Sequence, residues 1–121
     1  MAKKGKRKAS VPYWSEQLDA KRVAEAFAEA TVDAYDESDR HAGLFAAVQD
    51  ELQFPFRATV MGEEVTVVDL EWPRGDEFGL DLVCERGGDR HCIEARSVEL
   101  LKPFPVGHLF LAAYLDWKRR M

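Results

Sequence analysis

The stretch LQFPFRATVMGEEVTVVDLE, Leu52–Glu71, decides the fold. Before it, apolar residues recur every three to four positions; after Pro55 they recur every second position. Pro55 closes the helix ahead of it, because the residue before a proline is pushed toward extended geometry. Strands are expected at Arg57–Met61, Glu64–Glu71, Phe78–Glu85 and Asp89–Ala95, with a short last one at Val98–Leu101. Gly62, Pro73-Arg74-Gly75-Asp76 and Gly87-Gly88 supply the turns between them. Val65 and Val67 alternate with Thr66 and Val68, and Leu80 and Leu82 with Asp81 and Val83, which predicts one buried face. Short strands packed into roughly 45 residues predict a small, bent antiparallel barrel of SH3-like type.

Upstream, Ser15 can cap a first helix. Val23, Phe27, Ala30 and Ala34 form its stripe at i, i+4, i+7 and i+11. Gly43 allows a bend or break, and a second helix is expected over 42–53, with Leu44, Phe45, Val48 and Leu52 inward. Downstream, the extended connector Lys102–Gly107 leads to a closing helix, His108–Arg120. Its terminal Lys118, Arg119 and Arg120 complement the helix dipole. The expected fold class is α+β: two N-terminal helices within 15–53, an SH3-like barrel over 56–101 and a C-terminal helix over 108–120. Residues 11–121 make one domain, behind a tail of residues 1–10 without apolar periodicity.

The net charge of −5 hides an asymmetry. Residues 1–8 carry Lys3, Lys4, Lys6, Arg7 and Lys8 and no acid; the rest of the chain sets 12 basic against 22 acidic side chains. An acidic body argues against a nucleic-acid face on the domain, because phosphate binding needs a basic patch. The tail is left as either a weak anchor for nucleic acid or another anionic partner, or a solvated extension. No apolar run approaches the ~18 residues of a membrane span. The basic start is not followed by an apolar segment, so a cytoplasmic location with reduced thiols is expected for Cys84 and Cys92. A two-residue loop at Gly87-Gly88 sets residue 84 opposite 91 and turns Cys92 to the other face; a three-residue loop aligns 84 with 92.

Asp33, Asp36, Glu37 and Asp39 fall within seven residues. In a helix, like charges at i,i+4 cost roughly 0.2–0.5 kcal/mol per pair. Calcium takes six to eight oxygens at ~2.3–2.6 Å, so these carboxylates supply half a site. Asp50 and Glu51, or Glu63 and Glu64, together with carbonyls near Ser38, are the candidates for the rest. The spacing is not that of an EF-hand: counted from Asp36, the third position is Ser38, the fifth Arg40 and the sixth His41. The other reading is a solvated acidic face with Arg40 as its counter-charge.

Enzymatic readings find little support. His41, His91 and His108 have no serine or cysteine at a signature spacing, and Cys84, His91 and Cys92 lack the pattern of a closed zinc site. No phosphate-binding glycine loop is present. A non-catalytic alternative is an interaction module, with Trp72, Phe78 and Phe104 lining a peptide groove on the barrel; the same rings serve equally as packing.

Val32-Asp33-Ala34-Tyr35-Asp36-Glu37, with Asp39-Arg40, Gly43, Asp50, Leu52 and the Gln53-Phe54-Pro55-Phe56 exit, resembles the CcbP-type calcium-binding family over residues 32–58. Over the barrel the likeness is looser. The resemblance implies a small acidic protein without EF-hands that buffers calcium. It carries ligand roles onto Asp33, Asp36, Glu37 and Asp39, and onto Asp50 in the second helix; the adjacent Glu51 joins the set by its position. Ser38 stands where the family often has another acid, and Leu44, Phe45, Ala46 and Ala47 replace large aromatics. Each lost carboxylate weakens the metal affinity that the resemblance implies.

Overall fold

The computed structural model describes residues 13–121, so the basic tail with Lys3, Lys4, Lys6, Arg7 and Lys8 lies outside the described residues. Tyr13 leads into a 3-10 turn, Trp14–Gln17. Ser15 sits inside that turn and caps nothing, because Leu18 is extended (φ −87°, ψ 159°) and interrupts the coil. Asp19 is the cap instead: it accepts the Lys21 N–H at 2.9 Å and opens α1 (Ala20–Ala30).

Helix α1 stops short of Ala34. The Thr31 N–H and hydroxyl both donate to the Phe27 carbonyl (3.0 and 2.7 Å), which closes the helix locally. Helix α2 (Glu37–Glu51) then starts earlier than the expected residue 42. Gly43 does not break it. A Cβ at Gly43 would lie 2.3 Å from the Ala30 carbonyl oxygen, so glycine is what lets α2 cross the end of α1.

Beyond the cis Phe54–Pro55 bond come β1 (Phe56–Val60), β2 (Glu63–Glu71), β3 (Asp81–Arg86), β4 (Asp89–Glu94) and β5 (Glu99–Leu100). They form one antiparallel sheet in the order β4-β3-β2-β1-β5. A register shift between Val67 and Asp69 moves the buried phase of β2 from Val67 to Leu70. The sheet does not close into the expected SH3-like barrel among the described residues. Strand β5 has two residues, both paired with β1, and β4 ends in the 3-10 turn Ala95–Ser97, so the sheet stays open between β4 and β5. Arg86 pairs with Asp89, giving the two-residue Gly87-Gly88 loop. Cys84 therefore faces His91 and is buried, while Cys92 is exposed; both are free thiols.

Helix α3 (His108–Arg119) packs on α1 and α2. It starts from Gly107 at φ +90°, where a Cβ would lie 2.2 Å from the Glu51 carbonyl oxygen. The core joins Leu44 and Val48 of α2, Leu111 of α3, and Val67 and Leu82 of the sheet, with Trp14, Leu80 and Val98 from the connecting segments. No described helix is long and apolar enough to cross a membrane.

Candidate metal centre

The acid cluster lies in the turn between α1 and α2 and in the first turn of α2, not inside one long helix. Asp36 is the N-cap of α2: its Oδ1 accepts the Asp39 N–H at 2.8 Å. Asp39 reaches back, and its Oδ2 accepts the Tyr35 N–H at 3.2 Å. This reciprocal pair works as a capping box displaced by one residue. The pattern Asp36-x-x-Asp39 was the signal that places the true helix start. Carboxylates gathered here meet backbone N–H groups and the positive end of α2, which removes much of the repulsion expected mid-helix. Asp33 is exposed in the turn itself. Glu37 Oε1 accepts from the Arg40 guanidinium (3.2 Å) and from the Trp117 indole N–H of α3 (3.1 Å).

The other proposed donors do not join this group. Asp50 and Glu51 sit at the far end of α2, about 20 Å from Asp36 at ~1.5 Å per residue. There Glu51 adjoins Gly107 through its backbone. Glu63 and Glu64 flank the β1–β2 turn, paired with Arg86 and Arg57. Convergence of acids from Asp33 to Glu51 on one ion is thus corrected by the length of α2. The local donor set is all oxygen, which suits a hard cation. Its members are engaged separately: among the described residues no three His, Cys, Asp or Glu side chains stand close enough to hold a metal ion.

A second acidic grouping, invisible without the strand register, crosses the sheet. Glu71 of β2 is opposite Asp81 of β3, which is opposite Glu94 of β4. Burial, with Glu94, Asp76 and Glu71 adding repulsion, raises the Asp81 carboxyl above its ordinary value. The Cys92 thiol donates to Glu71 (3.4 Å), and Arg96 pairs with Glu94 (3.1 Å).

His41 is a core residue that composition did not mark. It is fully buried, ringed by Phe45, Trp72, Phe78, Tyr114 and Trp117, with the Trp72 ring edge-on at 4.3 Å. Its Nε2–H donates to the Gly79 carbonyl at 2.7 Å, while Nδ1 has no partner. Burial holds the imidazole below its usual pKa. The signal was available in helical phase, since His41 continues the Leu44, Val48, Leu52 stripe toward the N-terminus. Trp72 and Phe78 belong to this aromatic box, whereas Phe104 packs on Trp14 (5.5 Å) and His108 (5.3 Å). The three rings suggested as a peptide groove are therefore divided between two packing clusters. A concavity of about 660 Å³ between the first turn, α1 and α3 is lined by Leu18, Val23, Tyr114 and Leu115 among others, and by no carboxylate of the acid loop.

The CcbP family, described as calcium binding, matches residues 24–74, the span from α1 through the acid loop to the end of β2 and just beyond. The fold is similar to the crystal structure of Anabaena CcbP, with a TM-score of 0.65 at 20% identity over 84% of this chain and 91% of that one. It is also similar to a calcium-binding protein in its calcium-binding form, with a TM-score of 0.63 at 20% identity over 86% of this chain and 94% of that one. Among curated proteins no sequence matches the chain. The matched segment contains residues 32–58, which carry the resemblance, and the fold is similar to that of CcbP.

Proposed function

We propose that this protein binds calcium, through oxygen donors of the loop between α1 and α2. The observation that carries this reading is the calcium-binding family match over residues 24–74, which spans that loop. Asp33, Asp36 and Glu37 are the first donors, with Asp39 and nearby carbonyls beside them. Asp50 and Glu51, on the far end of α2, stand outside this donor set. Calcium would supply charge neutralisation of the loop. The carboxylates would have to exchange their present hydrogen bonds for the ion, which favours modest affinity and a buffering role. The reading calls on no catalytic group, and burial pushes the Cys84 thiol up to about 11, away from the reactive thiolate. Two free cysteines fit a reducing, cytoplasmic setting. The strand order and the 3-10 turn before β5 support a finer description of the sheet as an opened SH3-like barrel.

Calorimetric titration with calcium chloride at physiological ionic strength is expected to give saturable heat. Asp36→Asn combined with Glu37→Gln is expected to weaken binding at least tenfold, the scale of losing two charged donors. Silence up to millimolar calcium would remove the reading. An unchanged isotherm in the double variant would move the site off this loop.

A further inference from the structure

Glu37 belongs to two parts of the molecule at once. It is the first residue of α2 and a member of the acid loop, yet its Oε1 accepts the indole N–H of Trp117, a residue only 7% exposed. Next to Trp117, Lys118 holds Asp76 (3.3 Å) and the Phe78 carbonyl (3.1 Å). The Trp117 ring meets Phe78 edge-on at 5.8 Å and His41 at 6.1 Å. Glu37 thus ties the loop to the C-terminal end of α3 and to the segment before β3.

Taking the acid loop as the calcium site, we propose that the Glu37–Trp117 hydrogen bond is a latch: calcium competes with the indole for the Glu37 carboxylate, so that ion occupancy is felt at α3. Asp36 and Asp39 are turned toward the backbone N–H groups of the loop, whereas Glu37 is held from the α3 side. A carboxylate fixed on that side is not free to swing toward its neighbours. Arg40 opposes calcium at the same oxygen by charge. Linkage makes the effect reciprocal: by the factor that calcium weakens the indole bond, the indole bond weakens calcium binding.

Trp117→Phe keeps a packing ring and deletes the donor. In calcium titrations of the full chain, this variant is expected to bind about fivefold more tightly, the scale of one hydrogen bond to a charged group at a half-open site. Unchanged or weaker binding overturns the latch. In the unaltered protein, the Trp117 indole ¹H–¹⁵N resonance, assigned by its loss in the variant, is expected to move in step with calcium occupancy. Heat of binding with a stationary Trp117 resonance overturns the latch and leaves the calcium reading intact. No heat and no shift in either protein removes both.

Discussion

In the acid loop, Asp36 and Asp39 each accept a backbone N–H at the start of α2, whereas across the sheet Glu71, Asp81 and Glu94 stand opposite one another on three neighbouring strands. Both regions crowd negative charge. A helix start offers unpaired N–H groups and the positive end of a dipole, so carboxylates there have a stabilising partner without any cation. Strand interiors spend their N–H groups on the ladder, so carboxylates facing each other across it depend on side-chain partners, here the Cys92 thiol for Glu71 and Arg96 for Glu94. The loop is therefore at ease as it stands and available to an ion, while in the row the Asp81 carboxyl is raised, by burial first and by Glu94, Asp76 and Glu71 second.

Breaking the frame of the loop should have the largest effect. Gly43→Ala drives a methyl group into the Ala30 carbonyl and should cost about 3 kcal/mol in urea unfolding, the scale of a backbone overpacking. A cost under about 0.5 kcal/mol would mean that α1 shifts easily and that the loop is loosely set. Next comes the buried base on α2, which faces Lys118, Asp76 and Glu77. The His41 pKa is lowered in the fold, so the unfolded chain binds more protons as pH falls below the ordinary ~6.5. Stability should be highest above that value and decline below it, by at most about 1.4 kcal/mol per pH unit. His41→Leu should flatten that slope; a slope that persists would assign it to the acidic regions. The smallest effect sharpens the contrast most. A carboxyl whose folded pKa is raised contributes stability below its unfolded pKa and loses it as pH rises through the folded value. Asp81→Asn should therefore stabilise the protein by about 0.5 kcal/mol at pH 7, the scale of one like-charge pair across a sheet, and by nothing near pH 3. Destabilisation at pH 7 would show the row to be held by partners other than repulsion allows.

The switch from helix to strand at Pro55 was legible because period and proline agree on it locally. The end of α1 was not. Ala34 falls in phase with Val23, Phe27 and Ala30 by coincidence, and the stop depends on Thr31 bonding back to Phe27. Gly43 looked like a break because glycine is a poor helix former, but its reason is the nearness of another helix, which no local pattern records. Within the candidate site, Asp33, Asp36, Glu37 and Asp39 were legible as a group through adjacency in sequence. Asp50 was joined to them through the family resemblance and Glu51 through its adjacency, and the rigid rise of α2 separates both from the loop. The Glu37–Trp117 bond and the Glu71–Asp81–Glu94 row depend on tertiary approach and on strand register, and neither leaves a trace in spacing.

The Gly87-Gly88 loop settles the redox chemistry of the chain by turn length alone. With two residues at the tip, one sulfur points inward and its neighbour outward, so an oxidant finds no partner to bridge. A maleimide dye should attach once, on the outer surface of β4, giving a ready anchor for distance measurements. Only a one-residue slip of β4 against β3, which would set Cys84 opposite Cys92, would turn both sulfurs to one side and make the hairpin oxidisable.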